Sequence, residues 1–192
     1  QGFGEPIIRN IQYVFSSNPP YIDVDNPVGT YRRTFTVPRN WQEREVFLHF
    51  GSISGYARIY VNGQQVGMTK ASKTPAEFNV TNYLKEGENL LAVQIYRWHD
   101  GSYMEDQDFW RLTGIERDVF LQAYPKLTIW DFFLKSSLDS TYKNGIFNAT
   151  VDLREFTGNN VKKGTLKLEL LDKTGKTVLS QQKKFNVEEE FT

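Results

Sequence analysis

Apolar and polar residues alternate with a period of two through most of the readable segments of the chain. Ala57, Ile59 and Val61 alternate with Tyr and Arg, and Asn62-Gly63 follows directly as a favoured hairpin turn. The same pattern marks residues 47–50, 91–95 and 119–121. Residues 81–84 provide at most one helical turn, and no longer segment shows the period of an amphipathic helix. Short strands separated by turns predict an antiparallel sandwich.

The alternation starts again after Tyr124-Pro125. Residues 127–134 form a rich apolar run, which predicts either a strand buried on both faces or a contact with another domain. Three further strands are expected around residues 147–153, 166–170 and from Val178 onward. Four strands are fewer than the seven of an immunoglobulin-like sandwich. We therefore expect one domain at residues 1–125 and a truncated one at 126–192, whose last strand exposes an edge that could pair with another copy.

The amino-acid composition argues for a folded domain and against some classes of binding partner. The 192 residues include 39% apolar and 15% aromatic residues, enough for a packed core. The 23 basic and 23 acidic residues cancel, so no long-range field recruits nucleic acid or an anionic membrane. Without cysteine, disulfides are excluded. The chain shows no signal peptide and starts at Gln1, which suggests a part of a longer protein; its compartment stays open.

A long stretch rich in Trp, Asp and Gly carries a family resemblance. Residues 97–115 read RWHDGSYMEDQDFWRLTGI, and supporting matches lie at residues 26–31, 35–38, 61–63, 75–78, 87–93 and 117–119. Together they resemble the sugar-binding domain of glycoside hydrolase family 2, and specifically its β-galactosidases. The resemblance implies an all-β chain, with a jelly-roll (galactose-binding-like) β-sandwich followed by a partial immunoglobulin-like β-sandwich.

The resemblance also implies that this chain lacks the catalytic residues. In the family, the acid and the nucleophile are two glutamates on a later (β/α)₈ barrel. A retaining glycosidase needs two carboxyl groups about 5–5.5 Å apart, and Glu105, Asp106 and Asp108 are the tempting cluster here. Acidic residues in a loop between strands are more often solvated or bound to turn amides, so we expect a structural role. The implied partners are a β-galactoside and the barrel of the same polypeptide.

Two residues are candidates for substrate recognition. By resemblance, Asp108 reaches into the active site of the barrel, where it binds a sodium ion and the galactose 6-hydroxyl. A hard cation prefers oxygen ligands, and a charged acceptor orients a sugar hydroxyl. Asn10 matches a second family residue at the substrate pocket, where an amide can both donate and accept a hydrogen bond. Both sites are incomplete without the barrel.

Lys70 and Asp100 depart from the family pattern. In the well-studied branch, the residue matching Asp100 shares a peripheral magnesium site with a glutamine, and that glutamine position is Lys70 here. An ammonium group repels Mg²⁺ where an amide would bind it. We therefore expect a direct Lys70–Asp100 ion pair that replaces the metal. The alternative is two unrelated surface charges.

The leading interpretation is the N-terminal, non-catalytic part of a β-galactosidase that hydrolyses terminal β-D-galactose residues with retention. No cofactor is expected on the fragment, whereas the full-length enzyme is expected to use Na⁺ and Mg²⁺. One alternative is an autonomous carbohydrate-binding module. Another is a family 2 enzyme for a different β-glycoside, such as a β-glucuronidase, although those relatives generally lack the motif at residues 97–115.

Overall fold

Thirteen β-strands make up the regular structure of the residues that a computed structural model describes, which are 18–105, 111–156, 158 and 163–186. The first nine strands are β1 (Val28–Thr36), β2 (Glu45–Phe50), β3 (Ile53–Ser54), β4 (Tyr56–Val61), β5 (Gln64–Thr69), β6 (Ala76–Asn79), β7 (Glu88–Tyr96), β8 (Gly114–Ile115) and β9 (Val119–Tyr124). The last four are β10 (Leu127–Leu138), β11 (Gly145–Glu155), β12 (Lys163–Leu171) and β13 (Thr177–Asn186). The prediction of an all-β chain is confirmed.

Helical structure in the described residues is limited to three short 3₁₀ turns. They span Arg39–Trp41, Thr81–Tyr83 and Asp100–Tyr103. The second of them confirms the single turn expected at residues 81–84. Within the described ranges, no helix has the length and apolar character needed to cross a membrane.

The first compact unit, which ends at Ala123, is built from two main antiparallel sheets. Four strands pair in the order β1-β7-β4-β5, and three pair in the order β6-β2-β9. The short strands β3 and β8 pair with each other through Ile53↔Ile115 and Ser54↔Gly114. Alternation along β4 and β7 directs every second side chain inward. The sheets therefore pack as the antiparallel sandwich that the pattern predicts.

The core lies between the two sheets and draws on both. Phe50 of β2 is fully buried, and its ring meets Phe78 edge-on at a centroid distance of 6.2 Å. Ile59 of β4 and Val93 of β7 belong to the opposite, four-stranded sheet, and their side chains are buried in the same core. The other buried members of the core are Val46, Leu48, Ile53, Ala57, Val61, Val80 and Ile95. Burial of these apolar surfaces is the dominant favourable contribution to the stability of the sandwich.

Two hydrogen-bonded asparagines, Asn62 and the fully buried Asn89, stabilise the β4–β5 hairpin. Asn62 and Gly63 both have positive φ, 51° and 83°, as a two-residue hairpin turn of type I′ requires. The Asn62 amide donates to Asn89 Oδ1 at 2.8 Å, and its own oxygen accepts from the Leu90 amide at 3.0 Å. Asn89 is fully buried and also bonds both backbone groups of Lys85. The residues of the turn and of the Gly-Glu-Asn motif thus form one polar network.

The second compact unit, from Tyr124 onward, consists of two long hairpins. β10 pairs with β11, and β12 pairs with β13, each antiparallel. At the β10–β11 turn, hydrogen bonds from Asn144 and Thr141 lower the pKa of Asp139 to about 2. The four strands that we expected after residue 125 are present, although the immunoglobulin-like topology remains a prediction.

One expectation about β10 is wrong for this chain. The apolar run at residues 127–134 predicted a strand buried on both faces, yet Phe132 and Phe133 are 62% and 67% exposed. Their sheet contains only β10 and β11, and a two-stranded sheet cannot bury large side chains without a second layer. The other alternative, a contact with another domain, stays a prediction.

Candidate functional site

Polar side chains gather in the loops that follow β5 and β7. We call residues 70–74 and 97–105, together with residues 111–113, the loop cluster. The loop after β7 is tied to the start of β1 because Asn26 makes two hydrogen bonds of 2.8 Å with the backbone of Trp98. Trp98 is 8% exposed, so its ring packs within the fold. The loop cluster is therefore held on the rigid sandwich.

The structure brings Lys70 and Asp100 together. Lys70 Nζ donates to both carboxylate oxygens of Asp100, at 2.9 and 2.8 Å, while both side chains remain nearly half exposed. The hydrogen bond from Lys70 is the main cause that lowers the pKa of Asp100. Because an ammonium group contacts both oxygens, this position does not fit a magnesium ion. Whether the pair replaces a metal of the relatives stays a prediction.

Removing the Lys70–Asp100 pair is expected to cause only a small loss of stability. The folded-state pKa of Asp100 is depressed, so its contribution is fully present above the ordinary value of 3.8 and disappears as the pH falls below it. Lys70→Met should lower Tm by about 1–2 °C at pH 7. Scanning calorimetry at several pH values and in 1 M NaCl measures this effect.

Asp100→Asn serves as the partner variant for the same pair. Its Tm deficit at pH 7 should shrink in high salt, because exposed charges are screened. It should also shrink as the pH falls through the lowered pKa of Asp100. A deficit that does not change with either pH or salt would show that the carboxylate charge of Asp100 contributes nothing to the loop.

His99 begins the turn that carries Asp100. Its Nδ1 accepts a hydrogen bond from the Gly101 amide at 3.2 Å, and its backbone amide donates to Ser102 Oγ at 3.1 Å. The side chain is 4% exposed, and Nε2 has no hydrogen-bond partner among the residues that the structure describes. Nε2 lies 3.5 Å from a carboxylate oxygen of Glu105. The imidazole thus serves as a cap of the 3₁₀ turn and faces Glu105.

Two further contacts hold the flanks of the segment at residues 106–110. Glu105 Oε1 accepts from the Ser72 backbone amide at 3.3 Å. On the other side, Arg97 Nη2 donates to the carbonyl oxygen of Arg111 at 3.2 Å. Burial lowers the pKa of Arg97, whose guanidinium carbon lies 5.2 Å from the centre of the Trp98 ring. Sequence reasoning placed Glu105 in a structural role, but it assigned none to Arg97 or Ser72.

Glu116 and Lys73 connect β3 and β8 to the loop cluster. Ser52 and Ser54 donate to the Glu116 carboxylate at 3.0 and 2.7 Å, and Lys73 Nζ donates at 2.9 Å. Burial raises the pKa of Glu116, but these three donors together outweigh it, and the pKa is lowered. Glu116 is therefore a structural carboxylate that stays ionised.

The two residues predicted to recognise substrate, Asp108 and Asn10, lie outside the described residues, as does Asp106. Within the described ranges, no cluster of three His, Cys, Asp or Glu residues could hold a metal ion. The sodium role of Asp108 and the recognition role of Asn10 stay predictions. The structure describes the residues on either side of 106–110 in the sequence, Glu105 and Arg111, and their contacts with Ser72 and Arg97.

An antiparallel sandwich with a polar loop cluster defines a β-sandwich module, and comparison with known proteins gives its family. Residues 1–125 match the model of the glycosyl hydrolases family 2 sugar-binding domain. The chain belongs to glycoside hydrolase family 2.

The similar curated proteins are named β-galactosidases. The one from Priestia megaterium is 40% identical over 184 residues, which cover 93% of this chain and 18% of the relative. The one from Vibrio cholerae is 41% identical over 182 residues, with 95% and 17% covered. The chain thus spans less than a fifth of the length of these relatives.

Solved structures of β-glucuronidases share the fold. A β-glucuronidase of an uncultured Clostridium sp. is 29% identical, with a TM-score of 0.66, over 82% of this chain and 29% of that chain. A Bacteroides uniformis β-glucuronidase has a TM-score of 0.69 at 24% identity, over 86% of this chain and 20% of that chain. At 24% identity, the similarity to the Bacteroides uniformis protein supports the fold alone.

Proposed function

We propose that this chain is the N-terminal, non-catalytic part of a β-galactosidase. The observation that supports this proposal most is an identity of about 40% to proteins named β-galactosidases, sustained over more than nine tenths of the chain. The complete enzyme would hydrolyse terminal β-D-galactose residues with retention. Two glutamates of a barrel outside these 192 residues would supply the acid and the nucleophile.

The contribution of this chain is recognition of the galactose end of the substrate. Asp108 would accept a hydrogen bond from the 6-hydroxyl and bind a sodium ion, and Asn10 would contact the sugar at the same rim. Charge-assisted hydrogen bonds are about twice as strong as neutral ones, which suits Asp108 to this task.

Asp108 enters this proposal as a ligand of sodium, a hard cation that prefers oxygen ligands. The full-length enzyme is proposed to use Mg²⁺ as well, without a ligand assigned to it in these 192 residues. Lys70 and Asp100 do not take part in metal binding, since the ammonium group already contacts both oxygens of the carboxylate.

Assays with nitrophenyl glycosides test the proposed function. The full-length protein should hydrolyse the β-D-galactoside at least about 100-fold more efficiently than the β-D-glucuronide, because a site built to hydrogen-bond the polar groups of its own substrate discriminates by that factor or more. The 192-residue chain should hydrolyse neither. A preference of the full-length protein for the glucuronide would reject the galactosidase proposal in favour of the specificity named for the structural neighbours.

An autonomous carbohydrate-binding module is the second candidate, and the family description of a sugar-binding domain favours it. Calorimetric titration of the 192-residue chain with galactose and lactose separates the two. A dissociation constant in the millimolar range or tighter supports the module. We expect no measurable heat, because half of the proposed pocket would come from the barrel.

A further inference from the structure

The sequence contains two Asn-Gly pairs, Asn62-Gly63 in the β4–β5 turn and Asn144-Gly145 in the β10–β11 turn. An asparagine followed by glycine is prone to spontaneous deamidation, because glycine has no side chain to shield its backbone nitrogen from the preceding carboxamide. The reaction also requires the carboxamide carbon to approach that nitrogen, so the folded structure controls its rate. The two pairs have the same chemistry but different surroundings.

Three hydrogen bonds fix the carboxamide of Asn62. Its Nδ2 donates to the Tyr83 carbonyl oxygen at 2.9 Å and to Asn89 Oδ1 at 2.8 Å, and its Oδ1 accepts from the Leu90 amide at 3.0 Å. Rotation of this carboxamide toward Gly63 would break all three bonds and leave the fully buried Asn89 without one of its donors, which is costly. The fold therefore protects the first Asn-Gly pair.

The carboxamide of Asn144 is exposed and much less constrained. Within the part of the chain that the structure describes, its one side-chain hydrogen bond runs from Nδ2 to Asp139 Oδ2, at 2.7 Å. Water competes for an exposed bond of this kind, so the bond restrains the side chain weakly. A Cβ atom placed at Gly145 would meet no described atom within 4 Å apart from its chain neighbours. The backbone nitrogen of Gly145 is therefore not crowded.

The Gly145 nitrogen is also free of the β10–β11 ladder. The Asp139 amide donates to the Asn144 carbonyl oxygen at 2.9 Å, which makes these two residues a hydrogen-bonded pair. Leu138 and Gly145 form the next pair in the register, and the two kinds of pair alternate along an antiparallel ladder. The Gly145 N–H group therefore points away from β10. Among the described strands, this sheet has no third member to receive it.

We propose that Asn144 is a site of spontaneous deamidation, which converts the β10–β11 turn into a more acidic and less stable form. The Gly145 nitrogen bonds to Cγ of Asn144 and closes a succinimide ring. The proton of Gly145 leaves with the carboxamide nitrogen as ammonia. Water then opens the ring at either carbonyl group and gives aspartate or isoaspartate at residue 144. Water is the only co-reactant, and no oxidant or enzyme takes part.

The product changes the charge of the turn. Asp139 accepts hydrogen bonds from the carboxamide of Asn144, from the Thr141 hydroxyl and from the Lys143 amide. The bond from Asn144 is the main cause that lowers the pKa of Asp139 to about 2. A carboxylate at residue 144 cannot donate this bond and repels Asp139 instead. An isoaspartate also lengthens the backbone directly before β11, which disturbs the register with β10.

Peptide mapping of the full-length protein by tandem mass spectrometry tests the proposal. Samples are incubated folded, at pH 7 and pH 9, and unfolded in guanidinium chloride. In the folded protein, Asn144 should deamidate at least about tenfold faster than Asn62, because reaction at Asn62 requires the loss of three hydrogen bonds. In the unfolded protein the two rates should be similar. The rate at Asn144 should increase with pH, because the attacking nitrogen must lose its proton.

Gly145→Ala is the matched variant for the ring closure. The open space at residue 145 accommodates the methyl group, while the added side chain hinders the attack, so deamidation of Asn144 should slow at least about tenfold. Asn144→Asp carries the charge of the product, whereas Asn144→Ala only removes the hydrogen bond. Backbone hydrogen exchange in peptides from β10 and β11 should be faster in Asn144→Asp than in Asn144→Ala.

Each measurement has a result that contradicts the proposal. Equal rates at Asn144 and Asn62 in the folded protein would overturn it, as would an Asn144 that stays intact when folded but reacts when unfolded. An unchanged rate in Gly145→Ala would show that the carboxamide is hydrolysed directly and not through the ring. Equal hydrogen exchange in Asn144→Asp and Asn144→Ala would reject the repulsion with Asp139.

Discussion

Replacement of Asp108 by alanine in the full-length protein is expected to lower kcat/KM for a β-galactoside by about 100-fold. A hydrogen bond to a charged group contributes about 1.5–3 kcal/mol, and loss of a sodium ligand adds to that value. Each 1.4 kcal/mol corresponds to a factor of ten. The corresponding α-L-arabinopyranoside has the same ring as the β-D-galactoside but lacks the hydroxymethyl group, so it has no 6-hydroxyl and should lose far less. Steady-state kinetics with both substrates at a fixed sodium concentration measures the effect.

Asp152→Ala provides the control for the Asp108 variant. Asp152 is an exposed acidic residue of β11, in the second compact unit. The Asp152 variant removes one negative charge, as the Asp108 variant does, but at a residue outside the loop cluster, so kcat/KM should stay within twofold of the wild type. If Asp108→Ala also stayed within twofold, Asp108 would have no part in recognising the sugar.

Phe50→Ala is expected to destabilise the sandwich by about 3–5 kcal/mol, the usual cost of truncating a buried phenylalanine. Phe50 is fully buried between the sheets and meets the Phe78 ring edge-on. The change removes apolar contacts between the two sheets and leaves a cavity. The cavity cannot easily close, because β2, which carries Phe50, is paired with β6 on one side and β9 on the other. Urea unfolding followed by tryptophan fluorescence, to which Trp41 and Trp98 contribute, measures the loss of unfolding free energy.

Phe132→Ala makes the same chemical change at an exposed position. Phe132 lies in β10 and is 62% exposed, so its truncation should alter the free energy of unfolding by less than about 0.5 kcal/mol. A loss below about 1.5 kcal/mol for Phe50→Ala would contradict the core assignment, because so small an effect is typical of a half-exposed side chain.

Most strands could be predicted from the period of two. The alternation around Ala57–Val61, the turn at Asn62-Gly63 and the segment at residues 91–95 correspond to β4, its hairpin and β7. These signals are local, because one buried face imposes the pattern on each strand separately. For residues 127–134 only one of the two predicted alternatives, a strand buried on both faces, is wrong, because an apolar run shows which residues prefer burial and not whether a second layer covers them.

The candidate site was only partly predictable. The ion pair between Lys70 and Asp100 was predicted from the departure of Lys70 from the family pattern, and the structure places their charged groups 2.8 Å apart. The contact of Arg97 with the Arg111 carbonyl and that of Glu105 with the Ser72 amide could not be predicted from any local sequence pattern. Glu105 contacts Ser72 through the backbone amide, which every residue except proline has, so the identity of residue 72 does not predict the contact. Arg97 could have been suspected only from its place at the start of the motif.

The sequence by itself determined the all-β class, the turn residues and the family of this protein, because periodicity, turn chemistry and motifs are written along neighbouring positions. Only the tertiary structure decided which distant groups meet. It brought the side-chain amide of Asn62 into a hydrogen bond with that of Asn89, and it brought the Glu105 carboxylate to the backbone amide of Ser72. Such contacts depend on how the sheets and loops pack in three dimensions, and pairwise geometry of that kind leaves no periodic pattern in the chain.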